Sequence, residues 1–229
     1  MTDTLLLAAM LIPCLIVAIV FHEVAHGWTA LALGDPTAKE RRRLSLNPLR
    51  HVDPVGTLLV PGGLALAGAP IFGWAKPVPV NQRRLDNPRF GMMAVAAAGP
   101  GTNLLLAAIA AIVIGASGMT GEVFSAEMLS GEGSILASLL TYFLLINIFL
   151  AVFNMLPIPP FDGSHIVEGA LPPRLAVYYE KLRPFGMLLF FGLVALTWFA
   201  PDLRVLENTL GPPVTWFMEK YLSLAQALA

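Results

Sequence analysis

The stretch that decides the fold runs from Leu5 to Leu33 and reads LLLAAMLIPCLIVAIVFHEVAHGWTALAL. A helix that crosses a lipid bilayer needs roughly 20 mostly apolar residues, and this run is long enough to do so. No basic residue precedes the run and its second half carries charge, so we do not interpret it as a cleaved signal peptide. The run therefore predicts a first membrane-spanning helix.

The composition of the whole chain agrees with this prediction. Of its 229 residues, 56% are hydrophobic and only 13% are charged, whereas soluble domains carry roughly 25% charged residues. So few polar side chains do not cover a water-facing surface of this size, which excludes an ordinary cytosolic enzyme, a nucleic-acid-binding protein and a disordered chain. The lipid bilayer is therefore an expected partner, and nucleic acid is not.

Further apolar runs follow the first one. Those at about 91–114, 135–156 and 184–200 are each predicted to span the membrane. The run at about 55–71 is rich in proline and glycine, which favours a re-entrant segment over a continuous helix. The amphipathic tail, 206–229, is compatible with either a short sixth span or an interfacial helix.

These runs predict an all-α polytopic membrane protein with about four to six transmembrane helices and a re-entrant segment. We expect residues 1–229 to form a single integral-membrane domain, with its core at about 5–170 and C-terminal helices at about 176–229. The single cysteine, Cys14, excludes an internal disulfide.

The basic residues indicate how the chain lies in the membrane. Twelve of the 14 Lys and Arg residues lie in the segments 34–53, 73–89 and 157–183, whereas the loop 116–134 has none. Basic loops stay on the cytoplasmic side. The first span is therefore expected to run from outside to inside. If 55–71 crossed the membrane once, its two basic flanks would lie on opposite sides of the membrane, against this rule. The charges therefore also favour a re-entrant hairpin.

Three ionisable residues, His22, Glu23 and His26, lie inside the first span. Each costs roughly 2.5–3.5 kcal/mol on insertion scales, so together they need a compensating interaction. Positions i and i+4 share a helix face, so both imidazoles can reach one ion. His-Glu-x-x-His is typical of zinc hydrolases, in which the Glu is the general base. The alternative, two histidines satisfied by hydrogen bonds within a bundle, is disfavoured by the long apolar flanks.

A catalytic zinc usually has three protein ligands, so a third ligand must come from elsewhere. The candidates within or beside the spans are Asp162, His165, His51, Asp53 and Glu168. Asp162 stands out because it follows the predicted span at about 135–156 in the sequence NMLPIPPFDG, where the prolines bar a regular helix and favour an extended stretch. Gly163 allows a tight turn that directs the carboxylate back towards the membrane.

Other polar or small residues in the spans have structural and functional interpretations. His165, three residues past Asp162, is a candidate to orient that carboxylate. Asn103 and Asn147 are interpreted as hydrogen-bonding residues between helices, whereas Asn154, beside the prolines, is interpreted as functional. Gly99 is interpreted as permitting close helix packing.

With these residues in place, the chain resembles the site-2 protease family of intramembrane zinc metalloproteases, in its compact subfamily without a PDZ domain. The resemblance is carried by HEVAHGW at 22–28, GPGTN at 99–103 and NMLPIPPFDG at 154–163. Phe161 stands where the family commonly has Leu, which leaves substrate preference open rather than activity.

The resemblance implies a role for each matched residue. His22, His26 and Asp162 would bind one Zn²⁺ per chain, and Glu23 would be the base and later the proton donor. Asn154 would hold the substrate backbone or the developing oxyanion. Asn103, within the GPGTN element, would then support the site from outside the ligand set.

The function that follows is intramembrane zinc metalloendopeptidase activity. The enzyme would hydrolyse peptide bonds in or near transmembrane segments of membrane protein substrates, as in regulated intramembrane proteolysis. It would be a multi-pass protein, of the cell membrane in a prokaryote, with its active site towards the cytoplasmic side. The alternatives are a membrane zinc-binding or transport protein and an inactive relative that binds transmembrane clients.

Overall fold

The computed structural model describes residues 2–60, 63, 75–123, 125 and 134–229, and these are helical or irregular, without a strand. The α-helices with described bounds are α1 (Thr2–Ala32), α2 (Thr37–Glu40), α3 (Pro88–Ala116), α4 (Ile135–Asn154), α5 (Asp162–Ala170), α6 (Pro173–Glu180), α7 (Gly186–Phe199) and α8 (Val205–Leu228). Shorter helical turns are Pro48–Arg50, Pro54–Leu59, Gln82–Arg84, Met119–Glu122, Arg183–Phe185 and Pro201–Leu203. The prediction of an all-α membrane protein is confirmed.

Three of the described helices are long and apolar enough to cross a membrane. They are Leu5–Ala32 within α1, Pro88–Ala116 and Ile135–Asn154. The run at 184–200 forms α7, which has 14 residues and at 1.5 Å per residue is about 21 Å long. It is therefore shorter than the hydrocarbon core of a bilayer, about 30 Å. The number of spans beyond three stays a prediction.

The segment predicted to be re-entrant, 55–71, is described only in part. Pro54–Leu59 forms a π-helical turn, and the carboxylate of Asp53 caps its start by accepting hydrogen bonds from the backbone N–H groups of Val55 and Gly56. Residues 61–62 and 64–71 lie outside the described residues, so the re-entrant interpretation stays a prediction.

The helices α1, α3 and α4 pack against one another in pairs, while α5 packs on α3 and α8 packs on α3 and α4. Small side chains allow this close packing. The buried core includes Ala107, Ala110, Ala111, Leu144, Ile148, Leu210 and Ala225. Helices in lipid associate through such close contacts rather than through the hydrophobic effect, because the surrounding lipid is as apolar as the core.

α1 has one side that is buried in the bundle and another that is exposed towards the lipid. Its buried side includes Cys14, Ala18, His22 and His26, each four residues after the previous one. Its exposed side includes Leu5, Ile12, Ile16 and Phe21. Residues four apart lie above one another on a helix, so this pattern directs both imidazoles into the bundle.

The end of α1 is tied to the chain that returns beside it. The helix ends at Ala32, and the turn that follows contains Gly34, whose φ of +98° lies in the left-handed region that favours glycine. Asp35 is fully buried, and its carboxylate accepts hydrogen bonds from the N–H groups of Thr37 at 3.0 Å and Asn81 at 2.6 Å. Burial alone would raise the pKa of Asp35, but a hydrogen bond from the Thr37 hydroxyl, together with those from the two N–H groups, outweighs it and holds the pKa below its ordinary value.

Candidate metal centre

Three donor atoms meet where α1, α3 and α5 come together. Nε2 of His22 lies 3.1 Å from Oδ2 of Asp162, and Nε2 of His26 lies 3.4 Å from the same oxygen. The donor atoms of the three residues all lie within 4.8 Å of one another. The structure thus brings together the two imidazoles and the aspartate that the sequence indicates as ligands.

Hydrogen bonds to the other ring nitrogens orient the imidazoles. Nδ1 of His26 lies 2.7 Å from the carbonyl oxygen of Val95, which can only accept, so Nδ1 carries the proton. Nδ1 of His22 lies 2.6 Å from Oδ1 of Asn103. That oxygen also accepts, because Nδ2 of the same amide donates to the Ala18 carbonyl at 3.2 Å. Both Nε2 atoms therefore carry a lone pair in the neutral rings, as a metal ligand requires.

The carboxylate of Asp162 fits a metal ion better than it fits its protein neighbours. Its Oδ2 is buried and accepts no hydrogen bond within the described structure, and it faces two nitrogen lone pairs. Around a tetrahedral zinc ion, ligand atoms at about 2.0–2.1 Å from the metal lie about 3.3 Å from one another. The two Nε2–Oδ2 separations, 3.1 Å and 3.4 Å, match this value, and two imidazoles with a carboxylate suit zinc.

Gly99 of α3 lies directly against both imidazoles. A Cβ atom there would lie 2.5 Å from Cε1 and Nε2 of His26 and 2.6 Å from Cε1 of His22. The sequence interpretation, close helix packing, did not include this contact with the candidate ligands. A signal was present: Gly99 and Asn103 are four residues apart, so they share one face of α3, and Asn103 bonds to His22.

Glu23 and Asn154 line a cavity of about 470 Å³ that also reaches His22. Oε2 of Glu23 accepts a hydrogen bond of 2.7 Å from the backbone N–H of Val78. Nδ2 of Asn154 donates to the carbonyl of Leu150, one turn earlier in α4, at 3.0 Å. The cavity thus places a carboxylate and an amide beside one candidate ligand.

Residues 157–161, which precede Asp162, form a succession of bends and turns. The prediction of an extended stretch is therefore wrong for this segment. Gly163 lies within α5, and a Cβ atom there would collide with the carbonyl oxygen of Met155. Glycine is therefore needed at this position for close backbone approach, not for the predicted tight turn. This approach holds the first turn of α5, with Asp162, against the end of α4.

His165 has its described side-chain contact with Arg183. Nη2 of Arg183 lies 3.3 Å from Nδ1 of His165 and 2.6 Å from Oε2 of Glu168. Burial and the guanidinium beside it lower the pKa of His165. A role for His165 in orienting Asp162 stays a prediction.

The remaining candidates for a third ligand are used elsewhere. Nε2 of His51 lies 2.7 Å from the carbonyl oxygen of Ser45, Asp53 caps the turn Pro54–Leu59, and Glu168 pairs with Arg183. Among the described residues, the one group of three His, Cys, Asp or Glu residues with converging donor atoms is His22, His26 and Asp162.

Apolar helices of membrane-spanning length around converging histidine and aspartate donors, with a glutamate beside them, define a membrane metallohydrolase. A sequence model of peptidase family M50 matches residues 10–193. The chain belongs to this family, that of the site-2 proteases, and it is a zinc metalloprotease of the membrane.

Curated relatives agree with this assignment. "Putative zinc metalloprotease YwhC" of Bacillus subtilis is 37% identical over 183 residues, which cover 80% of this chain and 78% of that protein. "Putative zinc metalloprotease Rip2" of Mycobacterium tuberculosis is 27% identical over 200 residues, 83% of this chain and 70% of the relative. The protein of the same name from Mycolicibacterium smegmatis is 25% identical over 185 residues, which cover 78% of this chain and 64% of that protein. No solved structure matches the chain.

Proposed function

We propose that this protease hydrolyses peptide bonds in or near the transmembrane segments of membrane protein substrates, and that His22, His26 and Asp162 hold its zinc ion. The observation that carries the proposal is the convergence of three donor atoms inside a bundle of apolar helices. A cavity that Glu23 lines lies beside them. The proposed ligands, the proposed base and the proposed substrate space therefore lie within one part of the fold.

We assign the proton transfers to Glu23. When bound, zinc supplies Lewis-acid chemistry and lowers the pKa of a bound water to about 7. The Val78 N–H holds one carboxylate oxygen of Glu23, which limits rotation of the carboxylate. The other oxygen would take the proton of the attacking water and later deliver it to the leaving amine.

Asn154 and the apolar cavity walls are assigned to the substrate. The walls include Ile19, Leu150, Phe153, Phe161 and Phe190. The backbone groups of an intact helix are already paired with one another, so a substrate helix has to unwind locally before attack. The side-chain amide of Asn154 can then hydrogen-bond an exposed substrate backbone group or the developing oxyanion.

The active site is proposed to face the cytoplasm. The segments 34–53, 73–89 and 157–183, with twelve of the 14 basic residues, adjoin the end of α1, the start of α3 and the end of α4. Basic segments remain on the cytoplasmic side. His26 is eight residues before Gly34, about 12 Å along a helix, so the candidate zinc ligands lie nearer to that side.

The deciding experiment uses Glu23→Gln in proteoliposomes, with membrane-protein fragments identified by mass spectrometry. The variant should keep its zinc and lose cleavage, because only the proton acceptor is removed. His22→Ala should lose zinc as well as cleavage. Cleavage retained by Glu23→Gln would refute the mechanism. Zinc flux across the membrane would favour transport, and wild-type protein that binds clients without cutting them would favour an inactive relative.

A further inference from the structure

We propose that Asn147 of α4 is a positioning residue for the zinc site, acting through Asn103 on His22, provided that His22 is the zinc ligand proposed for it. Asn103 and Asn147 are both fully buried, and they connect α1, α3 and α4. Asn147 touches neither the candidate ligands nor the cavity that Glu23 lines, within the contacts described. Its effect has to pass through a chain of hydrogen bonds.

The direction of that chain is fixed by backbone carbonyls, which can only accept. Nδ2 of Asn147 donates to the carbonyl of Phe143 at 2.8 Å, so Oδ1 of Asn147 is turned towards Asn103. Nδ2 of Asn103 has two protons. It donates one to Oδ1 of Asn147 at 2.8 Å and the other to the Ala18 carbonyl at 3.2 Å.

Oδ1 of Asn103 is thereby left as an acceptor, and it lies 2.6 Å from Nδ1 of His22. The proton of the neutral imidazole is therefore on Nδ1, and the lone pair is on Nε2, which faces Asp162. If Asn103 turned its amide over, Nδ2 would face Nδ1 of His22 and favour the tautomer with its proton on Nε2. That proton would have to leave before zinc could bind.

Asn147 opposes this reversal because a turned-over Asn103 would direct its Oδ1 at an acceptor of Asn147. Between membrane spans, water does not readily replace the lost hydrogen bonds. The acceptor on Asn147 therefore helps to set the ring proton of His22, two hydrogen bonds away. The sequence interpretation of Asn147, a bond between helices, is correct for its contact with Asn103 but omits this directional effect.

The test compares Asn147→Leu with Thr141→Val in full-length zinc-loaded protein, with zinc affinity measured by competition with a chelator. Thr141 is a matched control because it is also fully buried on α4, and its Oγ1 donates to the Ala137 carbonyl of the same helix at 2.7 Å. Asn147→Leu should weaken zinc binding about 3–10-fold, less than the 10–100-fold typical of a direct partner of a ligand. Thr141→Val should leave it unchanged.

A double variant separates positioning from general packing. If Asn147 acts through Asn103, then Asn103→Ala with Asn147→Leu should bind zinc as weakly as Asn103→Ala alone, because the effects are not additive. Additive losses would overturn the proposal, as would zinc affinity in Asn147→Leu equal to that of wild type. Asn147→Ala replaces the leucine variant if the latter does not fold.

The same measurements keep the two proposals apart. His22→Ala should abolish tight zinc binding if the proposed ligand set is correct, and retained affinity would remove the basis of both proposals. Loss of zinc in His22→Ala together with full affinity in Asn147→Leu would reject the role of Asn147 alone.

Discussion

Gly99→Ala is the change that most directly tests the geometry of the metal centre. The added methyl group would lie 2.5 Å from two atoms of the His26 ring and 2.6 Å from Cε1 of His22. A normal carbon contact is about 3.5 Å, so the rings or α3 must move by about 1 Å. Gly101→Ala is the matched control, since a Cβ atom at Gly101 of the same helix meets nothing within 4 Å.

The displacement is large compared with what a metal site tolerates. Zinc-ligand distances are held to about ±0.2 Å, so a shift of about 1 Å in both imidazoles should lower zinc affinity at least about tenfold. Overpacking of this kind costs about 1–3 kcal/mol of folding free energy. A 1 Å misplacement near reacting groups can also cost about 10²-fold in rate. Gly101→Ala should instead stabilise α3 by roughly 0.5–1 kcal/mol.

Three measurements on protein in detergent or liposomes decide the outcome. Zinc content after chelator competition, the midpoint of thermal unfolding and the rate of substrate cleavage should all fall for Gly99→Ala. Gly101→Ala should keep its zinc content and cleavage rate, with an unfolding midpoint equal to or slightly above that of wild type. Wild-type zinc affinity and cleavage in Gly99→Ala would show that α3 does not press on the imidazoles, and would refute the geometric argument.

Three further predictions follow from other contacts. Val78→Pro removes the N–H that holds Glu23, so it should reduce cleavage at least about tenfold with zinc content unchanged. Val78→Ala keeps that N–H and should keep most of the cleavage activity. An equal loss of cleavage in both variants would contradict the role of the N–H. Gly163→Ala sets a methyl group against the backbone carbonyl of Met155, directly after α4, and should lower zinc affinity, measured by chelator competition. Because the pKa of Asp35 is lowered on folding, its carboxylate stabilises the fold above the unfolded pKa, about 3.9, and this stability is lost as pH falls through the folded value. Thermal unfolding of wild type should therefore approach that of Asp35→Asn below about pH 4, and a constant difference would contradict it.

What the sequence predicts well is local. The pairing of His22 with His26 follows from helical periodicity alone, and the apolar runs give α1, α3 and α4 within a few residues. The position of Asp162 is harder to predict from the sequence, because its approach to α1 depends on a turn whose bends the prolines do not specify. Gly163 illustrates the limit: glycine is equally compatible with a tight turn and with close backbone contact, and the fold uses the second.

The contacts that complete the site lie between helices, which periodicity does not pair. Gly99 is one residue before a proline in an apolar span, and nothing local distinguishes a glycine that admits a neighbouring helix from one that admits two imidazoles. The run at 184–200 is a comparable case, since hydrophobicity predicts a span there but does not specify that the regular helix covers only the 14 residues Gly186–Phe199.

Different sides of α1 are used to orient the candidate ligands and to line the cavity. α3 supplies the groups that orient both imidazoles, the Val95 carbonyl and the Asn103 amide, and it limits their position through Gly99. The cavity beside Glu23 is lined, among the described residues, by α1, α4, α7, residue 75 and the turn before α5. The orientation of the two imidazoles therefore depends mainly on the contact between α1 and α3, whereas the cavity depends on α1, α4 and α7, and α4 contributes to both through Asn147 and Asn154. The residues that orient the candidate ligands and those that line the cavity thus lie largely on different helices, with α4 shared between the two sets.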